Sequence, residues 1–386
     1  MVPARPLRLF VAYRDAPERR VALRQPRGVI ERYRLFGLDE LVERGAVVRH
    51  NLEHAGARAW ARIADRAINA VLYRLGGYGG DFASIFASLR ELNQADVVFS
   101  TVDTVGIPLV LLKTIGLVRP PIVYAAIGLP ERLVQVRRRA MHRLYVHALG
   151  RADVIVSYAT SEVEWLRNRL DHDARIVFVP FGVDTHAFQP LPERPPVVDV
   201  ISIGADPRRE FDLLTRLARR RPDLSLTIVT SAERARALTQ LPANVALETD
   251  VPLERVRDRL ADARVVALPV RENSYSGATT VLLQAMAMAK PVVVSRTDAI
   301  AAGYGLEDGV NCRLVTPGDA DGLERAIVDL LDDPEQAGSI ATRARATVER
   351  TLSWERYVSA LWEILTSVAR RTRVPDGHPR PSDECR

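Results

Sequence analysis

Residues Arg271–Thr297 read RENSYSGATTVLLQAMAMAKPVVVSRT, and the fold follows from how this stretch divides. An apolar run ends at Val270. A small polar loop follows, Ser274-Tyr275-Ser276-Gly277-Ala278-Thr279-Thr280, and a helix starts near Gly277. The apolar residues Val281, Leu282, Leu283, Ala285, Met286 and Met288 carry that helix to Ala289-Lys290, and Pro291 opens a new apolar run, Val292-Val293-Val294-Ser295. Strand, loop, helix, strand is the unit of an α/β protein. The loop also has what an anion cradle needs. Gly277 lets backbone come close to a ligand. A helix start presents unpaired N–H groups and the positive end of the helix dipole. Thr279 and Thr280 add hydroxyl donors. An ordinary capped strand–helix turn uses the same residues, so the loop alone leaves both readings open.

The alternation extends in both directions. Upstream, strand candidates at Leu7–Tyr13, Val47–Leu52, Asp96–Ser100, Pro121–Ala126, Asp153–Ser157 and Arg175–Val179 are separated by helices, among them Val29–Glu43, Ala55–Leu75, Thr104–Gly116 and Glu131–Leu149. The strands are short unbroken apolar runs, as in parallel strands buried on both faces. Arg14 to Gly28 reads as a loop rich in Arg and Pro. The glycines of Gly76-Gly77-Tyr78-Gly79-Gly80 follow a helix rather than a strand, so they read as a mobile loop and not as a nucleotide fingerprint. Five prolines between Pro180 and Pro196 mark a linker. Beyond it the alternation resumes at Val198–Gly204 and ends in three helices, the last Trp354–Arg371. The expectation is an α/β protein of two Rossmann-like, doubly wound parallel-sheet domains facing across a cleft. The first spans residues 1–185 and the second 186–371. A closing helix at 353–371 is placed to pack back on the first, and residues 372–386 form a disordered tail. Ligands bind outside the carboxyl ends of such strands, which here face each other.

Composition sets outer limits. At 386 residues, 47% hydrophobic and 26% charged, the chain has an ordinary globular make-up and the length of two domains. The longest apolar run, Ile107–Val118, is broken by Pro108 and Lys113 and is too short to span a bilayer. No secretory leader is read near Met1. Cys312 and Cys385 make neither a disulfide framework nor a zinc site, so the setting expected is cytoplasmic. Of the 54 basic residues all but Lys113 and Lys290 are arginine, and 27 of them lie in residues 1–190 against 19 acidic ones. That excess is either a habit of composition or a face for an anionic partner or membrane surface. Within it, Arg132 to Arg151 combines Arg137, Arg138, Arg139 and Arg143 with Leu133, Val136, Met141, Leu144 and Tyr145. The pattern suits anionic lipid and equally a solvated domain-surface helix. It offers no nucleic-acid motif.

Four stretches, in order, resemble the retaining GT-B glycosyltransferases, a family that includes bacterial mannosyltransferases and sucrose synthase. Pro180-Phe181-Gly182-Val183-Asp184-Thr185-His186-Ala187-Phe188 is similar to the family's P-x-G-V-D-x-x-x-F segment. Ser202 to Leu214, with Gly204, Arg208 and Arg209, is similar to G-R-x-x-x-x-K-G-x-x-x-L, one residue shorter. Gly277 to Val294 resembles E-G-F-G-L-x-x-L-E-A-M-A-x-G-x-P-V-V. Ser353-Trp354 matches the start of the closing helix. The resemblance covers about residues 180–370, and the first domain matches in architecture alone. It implies a nucleoside-diphosphate sugar of UDP or GDP type held by the second domain. It also implies a small-molecule, glycan or lipid-linked acceptor on the first domain, with no metal and no other cofactor.

Residue by residue, the resemblance puts Arg209 at a family lysine. There, with Arg208, it would neutralise the departing diphosphate. Gly204, Gly277, Ala278, Thr279 and Thr280 would cradle that diphosphate. The family's two glutamates fall on Ser276 and Gln284. Gln284 can still bond ribose hydroxyls, whereas Ser276 cannot stand in for a carboxylate, and Glu272 is the nearest acid that can. The family's acceptor-side His is absent, with Ile127-Gly128-Leu129 in its place. Asp103 is the candidate polar group there. His172 and His186 read as surface or packing residues. The expected function is a glycosyltransferase working at the cytoplasmic face, in peripheral contact with the membrane or free of it. Two alternatives stay open: a pseudo-glycosyltransferase that binds nucleotide sugar or a partner enzyme, and a nucleotide-sugar epimerase.

Overall fold

The structure, a computed structural model, describes residues 5–27, 30–53, 58–170, 175–275 and 277–371. Among them twelve strands form two six-stranded sheets. The first holds β1 (Arg8–Ala12), β2 (Val47–His50), β3 (Val97–Ser100), β4 (Ile122–Ala126), β5 (Val154–Ser157) and β6 (Arg175–Phe178), in the order β2-β1-β3-β4-β5-β6. The second holds β7 (Val198–Ile203), β8 (Leu226–Thr230), β9 (Val245–Thr249), β10 (Ala263–Leu268), β11 (Val292–Ser295) and β12 (Arg313–Val315), in the order β12-β11-β10-β7-β8-β9. Every neighbouring pair is parallel. β3, β4, β5 and β11 are buried at each position, which is why they read as unbroken apolar runs. Strand order reverses between β1 and β3 in one sheet and between β7 and β10 in the other. At such a point the two connections leave in opposite directions and a crevice opens at the strand ends.

Helices cover both faces of each sheet. On one face of the first sheet Phe10, Tyr124 and Leu109 pack with Tyr145. On the other Leu9, Val11 and Phe99 pack with Tyr357, Leu361 and Leu365 of the last helix, Trp354–Arg371. The chain therefore crosses between the sheets twice, and the crossings touch. Val183 N donates to Leu352 O at 3.0 Å, and Trp354 N donates to Val183 O at 2.9 Å. The approach requires glycine at 182, where a Cβ would stand 2.5 Å from Ser353 O. Phe181 fills the junction among the rings of Tyr33, Tyr158, Trp354 and Tyr357.

Four local readings are corrected. The loop expected over Arg14–Gly28 contains a helix, Pro17–Arg24, with Pro at its first turn and Glu18 beside it, a start signal outweighed by the Arg and Pro content. The helix expected at Val29–Glu43 is a 3₁₀ turn, Ile30–Leu35, and a helix, Leu38–Glu43. Phe36 and Gly37 break it with φ of +54° and +84°, and Gly37 lies against Val358 of the closing helix. The helix expected at Glu131–Leu149 is two, Leu129–Gln135 and Arg139–Leu149, parted where Val136 turns extended. Finally, the glycines at 77–80 are packed. A Cβ on Gly77 would meet Tyr145 Oη at 2.5 Å, and one on Gly80 would meet Thr104 O at 2.3 Å. The 372–386 tail, His172 and Cys385 lie outside the described residues. Among those described, no helix is long and apolar enough to cross a membrane.

Since the closing helix completes the first sheet, its core contacts should govern that domain. Leu361 is buried among Leu9, Val11 and Phe99. Leu361→Ala is expected to cost about 2–5 kcal/mol, read as an earlier first transition in urea unfolding.

Candidate functional site

The reversal point of the second sheet builds the site. Leaving β7, the chain turns at Gly204 with φ +151°, and a Cβ there would stand 3.1 Å from Arg209 Nε. The turn returns Arg209 to the end of β10, where it bridges Val270. Arg209 is 5% exposed. Its Nη2 donates to Ser202 Oγ at 2.9 Å and Ile203 O at 2.8 Å. Its Nε and Nη1 have no hydrogen-bond partner, and among the described residues no carboxylate forms an ion pair with it. Burial pushes its pKa down to about 10, partly offset by nearby Asp206, so it stays charged at neutral pH. A buried charge without a partner is costly, and an anion reaching Nε and Nη1 would remove that cost.

Other buried polar atoms, at the end of β8 and on the segment that follows β10, are unpartnered as well. Thr279 Oγ1, Gln284 Nε2, Ser274 Oγ, Asn273 Oδ1 and Thr230 Oγ1 have no hydrogen bond. Buried polar atoms are normally satisfied, so these are candidates for contact with a ligand. Thr279 opens the helix Thr279–Ala287, with Ala278 buried at its cap position. Thr280 is exposed. Gly277 faces the Asp206 carboxylate, which a Cβ would approach to 3.1 Å. Asp206 accepts from Arg208 N at 2.7 Å and from Tyr275 Oη at 3.1 Å. The Gly204–Arg209 turn and the Gly277 loop thus meet around Asp206. Beside them lies a cavity of about 620 Å³, bordered by Gly204, Thr230, Asp250 and Val251 and, from the first domain, by Glu18 and Arg34.

Three predicted residues are placed differently. Arg208 turns toward the first domain, where its Nη2 meets Glu131 Oε2 at 3.2 Å. Glu131 Oε1 accepts from Ser274 N at 3.3 Å, and the Tyr275 ring lies 3.1 Å from a Cβ built on Gly128. Glu272 Oε1 accepts from Asn273 N and Asp298 N, each at 3.1 Å, and so ties the loop after β10 to the loop after β11. Asp103 is buried rather than facing the cleft. It accepts from Tyr124 Oη at 2.8 Å and lies 3.5 Å from Arg132 Nε. Ser276 lies outside the described residues.

Sequence reading missed Glu131, Asp206 and Glu162. Glu131 follows Pro130 at the start of its helix, a common helix-start pattern that gives no hint of a partner 77 residues away. Glu162 lies beneath the loop that replaces the family His. It is 1% exposed and accepts from Leu129 N at 2.9 Å and from the Ser157 hydroxyl. Burial pushes its pKa from 4.5 up to about 8, and that of Asp103 from 3.8 up to about 6. Between those values the folded chain holds protons that the unfolded chain has released, so stability falls as pH rises. The loss from Asp103 builds between pH 3.8 and about 6, and that from Glu162 between pH 4.5 and about 8. Glu162→Gln is expected to flatten the upper part of this decline in thermal midpoints measured from pH 5 to 9, and an unchanged slope would contradict it.

Comparison with known proteins bears on the second domain and on the fold. Residues 209–333 match the family described as Glycosyl transferases group 1. The MMP α-(1→4)-mannosyltransferase of Mycolicibacterium hassiacum is 28% identical over 247 residues, 61% of this chain and 56% of that protein. A GDP-mannose-dependent monoacylated α-(1-6)-phosphatidylinositol monomannoside mannosyltransferase of Corynebacterium glutamicum is 28% identical over 158 residues, 39% of this chain and 41% of that one. The match thus spans about half the length of these curated relatives. In fold, sucrose-phosphate synthase from Thermosynechococcus elongatus superposes with a TM-score of 0.73 at 16% identity, covering 95% of this chain and 100% of that one. Anabaena HepE in complex with UDP-glucose superposes with a TM-score of 0.67 at 15% identity, covering 94% and 100%. The second domain thus carries a Glycosyl transferases group 1 domain, and the two facing doubly wound sheets have the GT-B fold of these structural neighbours.

Proposed function

We propose that the chain transfers a glycosyl group, with retention, from a nucleoside-diphosphate sugar to an acceptor hydroxyl. The observation that carries this reading is the buried Arg209 guanidinium, two of whose nitrogens have no partner. As the bond from the sugar to the diphosphate breaks, negative charge collects on the phosphate oxygens. Arg209 presents two free N–H edges to that charge, and a guanidinium fork matches phosphate geometry. The Gly277 and Ala278 backbone and the Thr279 and Thr280 hydroxyls meet it at a helix start. Fixed donors in a water-poor site stabilise developing charge more than water does. The nucleoside takes the cavity beside Gly204, and Gln284 holds its ribose. Glu272 holds the sugar-side loop through the amides it bonds.

Arg208 joins the diphosphate by leaving Glu131. The acceptor oxygen forms the new bond to the sugar carbon on the leaving-group side, and its proton passes to the departing phosphate. No protein base is then required, which suits a first domain whose family His position is Ile127-Gly128-Leu129. The relatives favour a UDP or GDP sugar as donor, with a glucosyl or mannosyl group transferred. Their names favour a sugar or lipid-linked acceptor, and a lipid-linked one would be met at a membrane face.

Two measurements test the reading. A donor at about 100 times its Kd stabilises the fold by about 2.7 kcal/mol, so one member of a panel of UDP, GDP, ADP and dTDP sugars should raise the thermal midpoint. Arg209→Met removes an unpaired buried charge. It is expected to unfold no earlier than the parent, to lose the nucleotide-induced shift and to lower turnover by about 10²–10³-fold. A panel without a shift, or an Arg209→Met variant that keeps both shift and turnover, refutes the proposal.

A further inference from the structure

Arg132–Arg151 carries residues suited to a membrane-facing surface, but most of its apolar side chains point inward. Leu133, Val136, Met141 and Tyr145 are buried in the first domain's core, which leaves Val134 and Leu144 exposed on either side of the break at Val136. A longer exposed apolar stripe lies elsewhere. Helix Ala59–Arg74 buries Ala61 and Leu72 inward. It leaves Trp60, Ile63, Val71 and Tyr73 exposed at 52%, 66%, 56% and 63%. Trp60, Ile63, Ala67 and Val71 are spaced three and four apart, so they form one stripe along the helix. An apolar stripe on a surface helix ordinarily faces the core, and this one faces away from it.

The charges beside the stripe are of one sign. Arg62, Arg66 and Arg74 are exposed on the same helix, with Arg58 just before it. Its one acid, Asp65, is turned inward and accepts from Phe82 N at 2.9 Å and from Asn69 Nδ2 at 3.0 Å. Where the helix begins, a groove of about 750 Å³ is lined by Arg58, Arg90 and Arg119 together with Trp60 and Phe86, and by a single acid, Glu91. Where the helix ends, Gly76 lies 3.7 Å from the Arg138 side chain at the nearest point of an added Cβ. That arginine heads the exposed series Arg138, Arg139 and Arg143. Apolar side chains that include a tryptophan, set among arginines, are what an interfacial helix offers to acyl chains and anionic headgroups.

We propose that helix Ala59–Arg74 and the arginine groove at its start dock the protein on an anionic lipid bilayer. The stripe enters the headgroup–acyl boundary, and Arg58, Arg90 and Arg119 receive headgroup phosphates. The surface is separate from the Arg209 crevice, so it stands or falls apart from sugar transfer. It gives the membrane contact proposed above a definite address.

Co-sedimentation of the full chain with vesicles tests it. Binding is expected to vesicles of phosphatidylcholine mixed with phosphatidylglycerol, not to phosphatidylcholine alone, and to fall as salt rises. Each arginine at an anionic leaflet is worth roughly five-fold in partitioning. Arg62→Gln with Arg66→Gln should therefore lower binding roughly 25-fold, and Trp60→Ser with Ile63→Ser should abolish it. Vesicles with brominated acyl chains should quench the protein's tryptophan emission, and Trp60→Phe should remove that quenching. The thermal shift produced by a donor should persist in all of these variants, which separates failed docking from a failed donor site. No sedimentation, equal binding to neutral vesicles, quenching that survives Trp60→Phe, or a dimer that Trp60→Ser with Ile63→Ser breaks while vesicle binding persists would each overturn the proposal.

Discussion

A guanidinium held inside the second domain without a carboxylate is the constraint on which the site depends. Arg209 could be satisfied by one acid in reach, as most buried arginines are. Instead Ser202 and Ile203 take one nitrogen and leave the others open. Gly204 is required because its φ and its closeness to Nε leave no room for a side chain. The bridge to Val270 fixes the turn to the neighbouring strand. Sheet order, glycine and arginine therefore form one device, and only the topology puts the ends of β7 and β10 side by side.

The two acids nearest to that device act in opposite ways. Asp206 sits between the two halves of the crevice and bonds Arg208 N and Tyr275, so it shapes the loop that a phosphate must enter. Glu131 comes from the other domain and takes the Arg208 guanidinium and the Ser274 amide. On the proposed reading, an anion in the crevice would compete with Glu131 for the Arg208 guanidinium. Occupancy of the crevice and contact between the domains would then be linked through one arginine, since Arg208 cannot give its full fork to both.

The fold was legible because buried parallel strands announce themselves as apolar runs, and β3, β4, β5 and β11 are such runs. Arg209, Gly277, Thr279 and Gln284 were legible as candidates because short motifs fix their spacing, and the structure brings the Arg209 turn and the Gly277 loop together around Asp206. What failed was whatever depends on distant partners. Nothing in the spacing around Arg208 shows that Glu131 meets it from across the cleft. Nothing around Glu272 shows that it takes the Asp298 amide. The glycines of 77–80 read as mobile because sequence does not show Tyr145 and Thr104 pressed against them. The arginine-rich segment at 132–151 carries the right residues for a lipid surface, but most of its apolar ones, Leu133, Val136, Met141 and Tyr145, are turned inward. A helix with a plainer pattern, Ala59–Arg74, shows its apolar residues to solvent.

The junction of the two crossings has a mechanical consequence. Val183 is bonded to both Leu352 and Trp354, and five aromatic rings lock around it. Sliding one lobe along the other would shear those bonds, whereas swinging it about Val183 leaves them whole. The lobes are thus joined as by a pin. The Glu131–Arg208 contact joins the lobes through different residues, so a swing about the junction would lengthen or shorten it while the Val183 bonds stay whole.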